Sequence, residues 1–129
     1  MALVAGLTGK ADLTVSDADT ARAMRSGDVA VLATPRLVAL AEEAAVAAVA
    51  GELGIGETTV GSNIQLDHVA PTPVGGHVVA EATLAGCQGR RLEFTFRIHD
   101  DRGLVAAGRH TRAVVDRERF LDHASGGGS

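Results

Sequence analysis

Tryptophan and tyrosine are absent from the 129 residues and phenylalanine occurs three times, which leaves too few aromatic faces for a stacking platform for bases or sugars. Positive charge is not in excess: Lys and Arg total 12 against 16 Asp and Glu, a net charge of -4. No global basic field draws a polyanion, so nucleic acid is not an expected partner. Cysteine occurs once, as Cys87, which rules out an internal disulfide and fits a reducing compartment. No apolar run reaches the length of a bilayer span, and the first seven residues lack the basic start and apolar length of a secretory signal. The expected setting is the cytoplasm, away from a membrane. No two histidines have ligand spacing, so no metal is expected.

What remains is an ordinary globular balance, 46% apolar and 22% charged, in a chain with room for one core. Residues 1–124 are expected to form a single domain. Residues 125–129, Ser-Gly-Gly-Gly-Ser, have linker composition and are expected to lie outside it.

Residues 32–50 are the strongest local signal. Thr34 is an N-cap residue type, Pro35 suits the first helical position, and glycines at 51 and 54 supply a stop. The helix body is Ala, Leu and Val on nearly every side, so it should be wrapped by other structure. At 100° per residue Arg36 and Glu43 share a line that can face water, whereas Glu42 shares its side with Val38, Ala45, Val46 and Val49. Glu42 is therefore expected to point inward, where a carboxylate must be paired, hydrogen-bonded or protonated. The competing reading puts it at the helix rim, in contact with solvent.

A short strand is expected over 11–15, a turn over 16–19, a helical turn before Gly27, and an entrance wall or lid over 29–32. After Gly56 the pattern alternates. Residues 58–69 place Ile64, Leu66 and His68 on one face. Residues 71–76 form a turn, 77–84 a strand closed by 86–89, and 91–99 a strand with Leu92, Phe94, Phe96 and Ile98 inward. Residues 100–103 turn into a last strand over 104–115, followed by a polar stretch to His123. One long helix followed by four strands on short turns is α+β, with an antiparallel sheet wrapped around one central helix, the arrangement of a hotdog fold. Open sheet edges point to a dimer with a continuous sheet.

Thr34, Glu42 and His68 supply a hydroxyl, a carboxylate and an imidazole, the parts of an acyl-transfer site. Each has a plainer reading: a cap for Thr34, a rim carboxylate for Glu42, a hydrogen-bonded core histidine for His68. Helix rise separates Thr34 and Glu42 by about 12 Å along the axis, so a working site can draw on two subunits. His110 alternates with Arg112 on the last strand. His77, His99 and His123 are expected to be solvated, Cys87 to lie in a turn without a base, and Asp100-Asp101 to be a turn.

Thr34-Pro35, Glu42 eight residues on, the run Asp67-His68-Val69-Ala70-Pro71-Thr72-Pro73-Val74-Gly75 and the late His110-Thr111-Arg112-Ala113-Val114-Val115 resemble the fluoroacetyl-CoA thioesterase family of hotdog proteins, from about Leu32 to Phe120. The resemblance implies a homodimer, with tetramers open, that hydrolyses an acyl-CoA, with Thr34, Glu42 and His68 at the catalytic positions. No cofactor is implied beyond coenzyme A as part of the substrate. Gly61 and Arg112 match substrate- or CoA-contacting positions. Their plainer readings are a strand bulge for Gly61 and a surface salt bridge for Arg112. Under the same resemblance His110, in alternate register with Arg112, would line a CoA channel. One feature departs from the family: the aromatic lid residue before the helix is replaced by the small or polar Gly27, Asp28 and Val29. The implied substrate is thus another small or medium acyl-CoA. The alternative to an enzyme is a non-catalytic hotdog module that binds acyl-CoA or an acyl carrier.

Overall fold

The structure, a computed structural model, describes residues 3–126; the linker residues 127–129 lie outside the described residues. Five strands form one antiparallel sheet: β1 (Thr8–Thr14), β2 (Glu57–His68), β3 (His77–Gln88), β4 (Arg91–Asp100) and β5 (Gly103–Asp116), in spatial order β1-β3-β4-β5-β2. Helices α1 (Ala21–Met24), α2 (Thr34–Val49) and α3 (Arg117–Ala124) complete the chain. The sheet curls over α2, as the hotdog expectation requires.

The core is the seam between α2 and the inner sheet face. Leu37, Leu40, Ala41, Ala44, Ala45, Ala48 and Val49 of the helix meet Val78, Ala80, Ala82 and Leu84 of β3 and Leu92, Phe94, Phe96 and Ile98 of β4. Strict alternation on β4 puts its four apolar side chains inward, as the sequence pattern predicts. Small residues let the layers close: a Cβ on Gly9 of β1 would meet the backbone of α2 at Ala44, Ala47 and Ala48.

Several elements depart from expectation. Ala33, not Thr34, is the N-cap of α2, and it makes no side-chain cap bond. The backbone around it is held instead by Leu32 N–H to the Thr72 carbonyl (2.9 Å) and Ala33 N–H to the Asp19 carbonyl (2.9 Å). Arg36 does not face water with Glu43; it pairs with Asp19 at 3.2 Å, half-buried, because the Ser16–Asp19 capping box brings that carboxylate under the helix start. Nor is α2 enclosed all round, since Glu43 and Ala47 are exposed and Val46 is 44% exposed. The lead-in over 29–32 is tied to neighbouring backbone by bridges Thr20–Leu32 and Val31–Pro73. β1 starts earlier than expected and β3 runs on to Gln88, so that Cys87 lies in a strand end, exposed. The polar stretch after β5 is the helix α3, capped by Asp116, whose side chain accepts from Arg119 N–H.

β2 carries one irregularity. Gly61 pairs with Arg112 and Asn63 with Thr111, leaving Ser62 as an extra residue in a bulge.

Candidate active site

Thr34 and His68 meet at the first turn of α2. As the first helical residue Thr34 is free of capping, and its Oγ1 lies 2.8 Å from His68 Nδ1. The imidazole comes from the last residue of β2, on the inner face with Ile64 and Leu66. Its Nε2 is buried and has no hydrogen-bond partner. Within the described residues this nitrogen therefore keeps its hydrogen-bonding capacity unspent. The plainer cap reading of Thr34 is thereby displaced, and His68 is tied to a hydroxyl instead of being a fully satisfied core histidine.

Glu42 lies elsewhere along the helix. It does not point among alkyl groups: its side chain is 40% exposed, at the rim, and its Oε2 lies 3.4 Å from Arg112 Nη1 and 3.9 Å from His110 Nε2. A 100° step rotates it off the sealed seam toward the β2–β5 ladder, where the Arg112 guanidinium holds it. No hydrogen bond or ion pair among the described residues joins Glu42 to Thr34 or His68. The three predicted catalytic residues thus form a pair and a separate carboxylate within one chain.

Arg112 is not a surface residue. Only 6% of it is exposed; Nε donates to Thr59 Oγ1 at 2.9 Å and Nη2 to the Thr59 carbonyl at 3.0 Å. Burial lowers its pKa while the Glu42 charge opposes that shift. Gly61 belongs to the same cluster: a Cβ there would stand 2.5 Å from Glu42 Oε2, 3.2 Å from His110 Cε1 and 3.3 Å from Arg112 Nη1. Only glycine leaves this carboxylate its place. Beside it opens a cavity of about 380 Å³ lined by Ala39, Glu42, Glu43, Val46 and Arg112.

His110 is the residue whose weight sequence reasoning missed. Placed there as a channel wall, it is instead 2% exposed, packed against Phe94 at a ring separation of 6.2 Å, and bonded through Nδ1 to the Asn63 carbonyl at 2.7 Å. Its inward register with Phe94 and Arg112 was the available signal. Away from this region, His77 is half-exposed between Thr14 and Asp12, and Asp100 holds its own turn through Arg102 and Gly103 N–H. Among the described residues no group of three or more His, Cys, Asp or Glu could hold a metal ion, and no helix is long and apolar enough to cross a membrane.

Comparison with known proteins agrees with this architecture. The family model described as fluoroacetyl-CoA-specific thioesterase matches residues 15–118. The fluoroacetyl-CoA thioesterase of Streptantibioticus cattleyicolor is 40% identical over 90 residues, which span 70% of this chain and 65% of that protein, just under two thirds of its length. The solved structure of the fluoroacetyl-CoA thioesterase FlK superposes with a TM-score of 0.91 at 31% identity, covering 98% of both chains. A thioesterase superfamily member from Thermus thermophilus, at 22% identity and a TM-score of 0.89 over 96% of this chain and 92% of that one, shares the fold. The chain belongs to the fluoroacetyl-CoA-specific thioesterase family.

Proposed function

We propose that this protein, a single domain over residues 1–124, is an acyl-CoA thioesterase that hydrolyses a small or medium acyl thioester at a site built from Thr34, Glu42 and His68. The carrying observation is the 2.8 Å contact between Thr34 Oγ1 and His68 Nδ1, a hydroxyl within proton-transfer reach of an imidazole. His68 takes the proton of the attacking group, either the Thr34 hydroxyl or a water held by it. The thioester C–S bond breaks, the thiolate of CoA leaves and is protonated, and one water is consumed to give the free carboxylic acid. Glu42 serves as base or transient acyl acceptor, and Arg112 and Gly61 shape the entrance beside it. No cofactor beyond the CoA of the substrate takes part.

Support for an acyl-CoA comes from a variant of FlK solved in complex with acetyl-CoA. Gly27, Asp28 and Val29, small or polar and all exposed, stand where the family carries an aromatic lid, which argues against selection for fluorine. A homodimer joined through β2 is part of the reading: β2 is a twelve-residue edge strand with an unpaired side, and it carries both Gly61 and His68, so a second protomer would adjoin the orphaned His68 nitrogen. The setting proposed is cytoplasmic, without nucleic acid or membrane.

The test is thiol release from a panel of acyl-CoAs of increasing chain length, fluoroacetyl-CoA included. Turnover of short or medium chains is expected, with His68→Ala and Glu42→Gln each slowing it about a hundredfold or more. CoA binding without turnover of any thioester would favour a non-catalytic binding module, and unchanged rates in both variants would remove these residues from the mechanism.

A further inference from the structure

His110 lies outside the Thr34, Glu42 and His68 set, yet both of its ring nitrogens are engaged. Nδ1 is 2.7 Å from the Asn63 carbonyl oxygen, which can only accept, so Nδ1 carries a proton. Nε2 is 3.1 Å from Arg112 Nη1, which can only donate, so Nε2 is bare. One state meets both demands: the neutral imidazole protonated at Nδ1. The charged groups around the ring are Glu42 from α2 and Arg112 from its own strand; β2 and β4 present the Asn63 carbonyl and the Phe94 ring. Burial, reinforced by the Arg112 charge, lowers the pKa of His110, and the Asn63 bond and Glu42 only oppose this.

Arg112 is gripped from the other side by Thr59, through Nε and Nη2. With one Nη1 hydrogen taken by His110, the other is left for Glu42 Oε2 at 3.4 Å. We infer that His110 is a positioning residue for thioester hydrolysis: as the Nδ1–H tautomer it accepts from Arg112 and holds the guanidinium on the Glu42 carboxylate. An imidazolium would instead set an N–H against the guanidinium and offer Glu42 a competing cation. The bulge at Ser62 takes part, because it brings the Asn63 carbonyl under the ring. The catalytic half of this inference rests on the thioesterase reading above.

Two measurements decide it. Long-range proton–nitrogen correlation spectra of the wild-type protein near neutral pH, without substrate, should show His110 protonated at Nδ1 and bare at Nε2; an Nε2–H tautomer or an imidazolium overturns the inference. In kinetics, His110→Asn keeps a donor for Asn63 but removes the acceptor for Arg112, whereas His110→Gln places a carbonyl oxygen at the Nε2 end. The Asn variant should lose about tenfold in kcat with KM changed less than about twofold, and the Gln variant should recover most of the loss. In an Arg112→Gln background, His110→Asn should cost nothing further. Equal losses in both variants, or additive losses with Arg112→Gln, overturn the inference. A wild-type protein that cleaves no thioester ends the thioesterase reading instead, and the nitrogen spectra still decide the orientation of His110.

Discussion

Gly61 is a residue chosen for what it does not carry. A methyl group there meets first the free end of Glu42, a flexible side chain and not backbone, so Gly61→Ala should fold normally. The carboxylate would give way and leave Arg112. We expect a melting temperature within a few degrees of wild type and a fall in kcat/KM on the order of tenfold or more, read by thermal unfolding and thiol release on the same preparation. At His110 the measurable consequence is a pH dependence of stability. Its pKa in the folded protein lies below that of the unfolded chain, so the unfolded chain takes up the proton first as pH falls. Its contribution is complete above about pH 6.5 and declines below that until the folded value is passed. Urea midpoints of the wild type should fall across that window, and those of His110→Gln should fall less.

Among the elements, α2 is seated on glycine. A Cβ at Gly9 would collide with helix backbone, which cannot swing aside, so Gly9→Ala should lower stability by about 1–3 kcal/mol in equilibrium denaturation, from overpacking. The parts of the fold legible in the sequence were those with one strong periodic signal: β4 with its alternating Leu92, Phe94, Phe96 and Ile98, and α2 with its apolar body. Elements set by tertiary contacts were not. The start of α2 is fixed by Asp19 and Thr72 carbonyls, so a good capping residue became the first helical one. β3 outran its glycines because β4 pairs with it beyond Leu84, across an irregularity before Gly86. Helical angles alone turned Glu42 inward, but they could not show that the β2–β5 end of the sheet leaves its carboxylate 40% exposed at the rim, beside Gly61 and Arg112. His110 was noticed beside Arg112 but given a channel wall's part, because its partners, the Asn63 carbonyl and the Phe94 ring, come to it only through the fold.

At the scale of the whole molecule, one chain leaves the work unfinished: the Thr34–His68 pair and Glu42 are not joined, the His68 Nε2 has no partner, and β2 has a free edge. Sedimentation velocity should therefore return about twice the 13.1 kDa chain mass, and a monomer at assay concentration would speak against a two-subunit site. The bulge at Ser62 governs how that edge can be used. Gly61 and His68 are seven positions apart, an odd interval, and in an unbroken strand such residues look to opposite sides. One supernumerary serine makes the interval effectively even, turning Gly61 and His68 toward the same face of the sheet. Parity is a property no single side chain reports, so an exchange at Ser62 that keeps the residue count preserves that shared face, while its deletion would roll half the strand over and set the two on opposite faces.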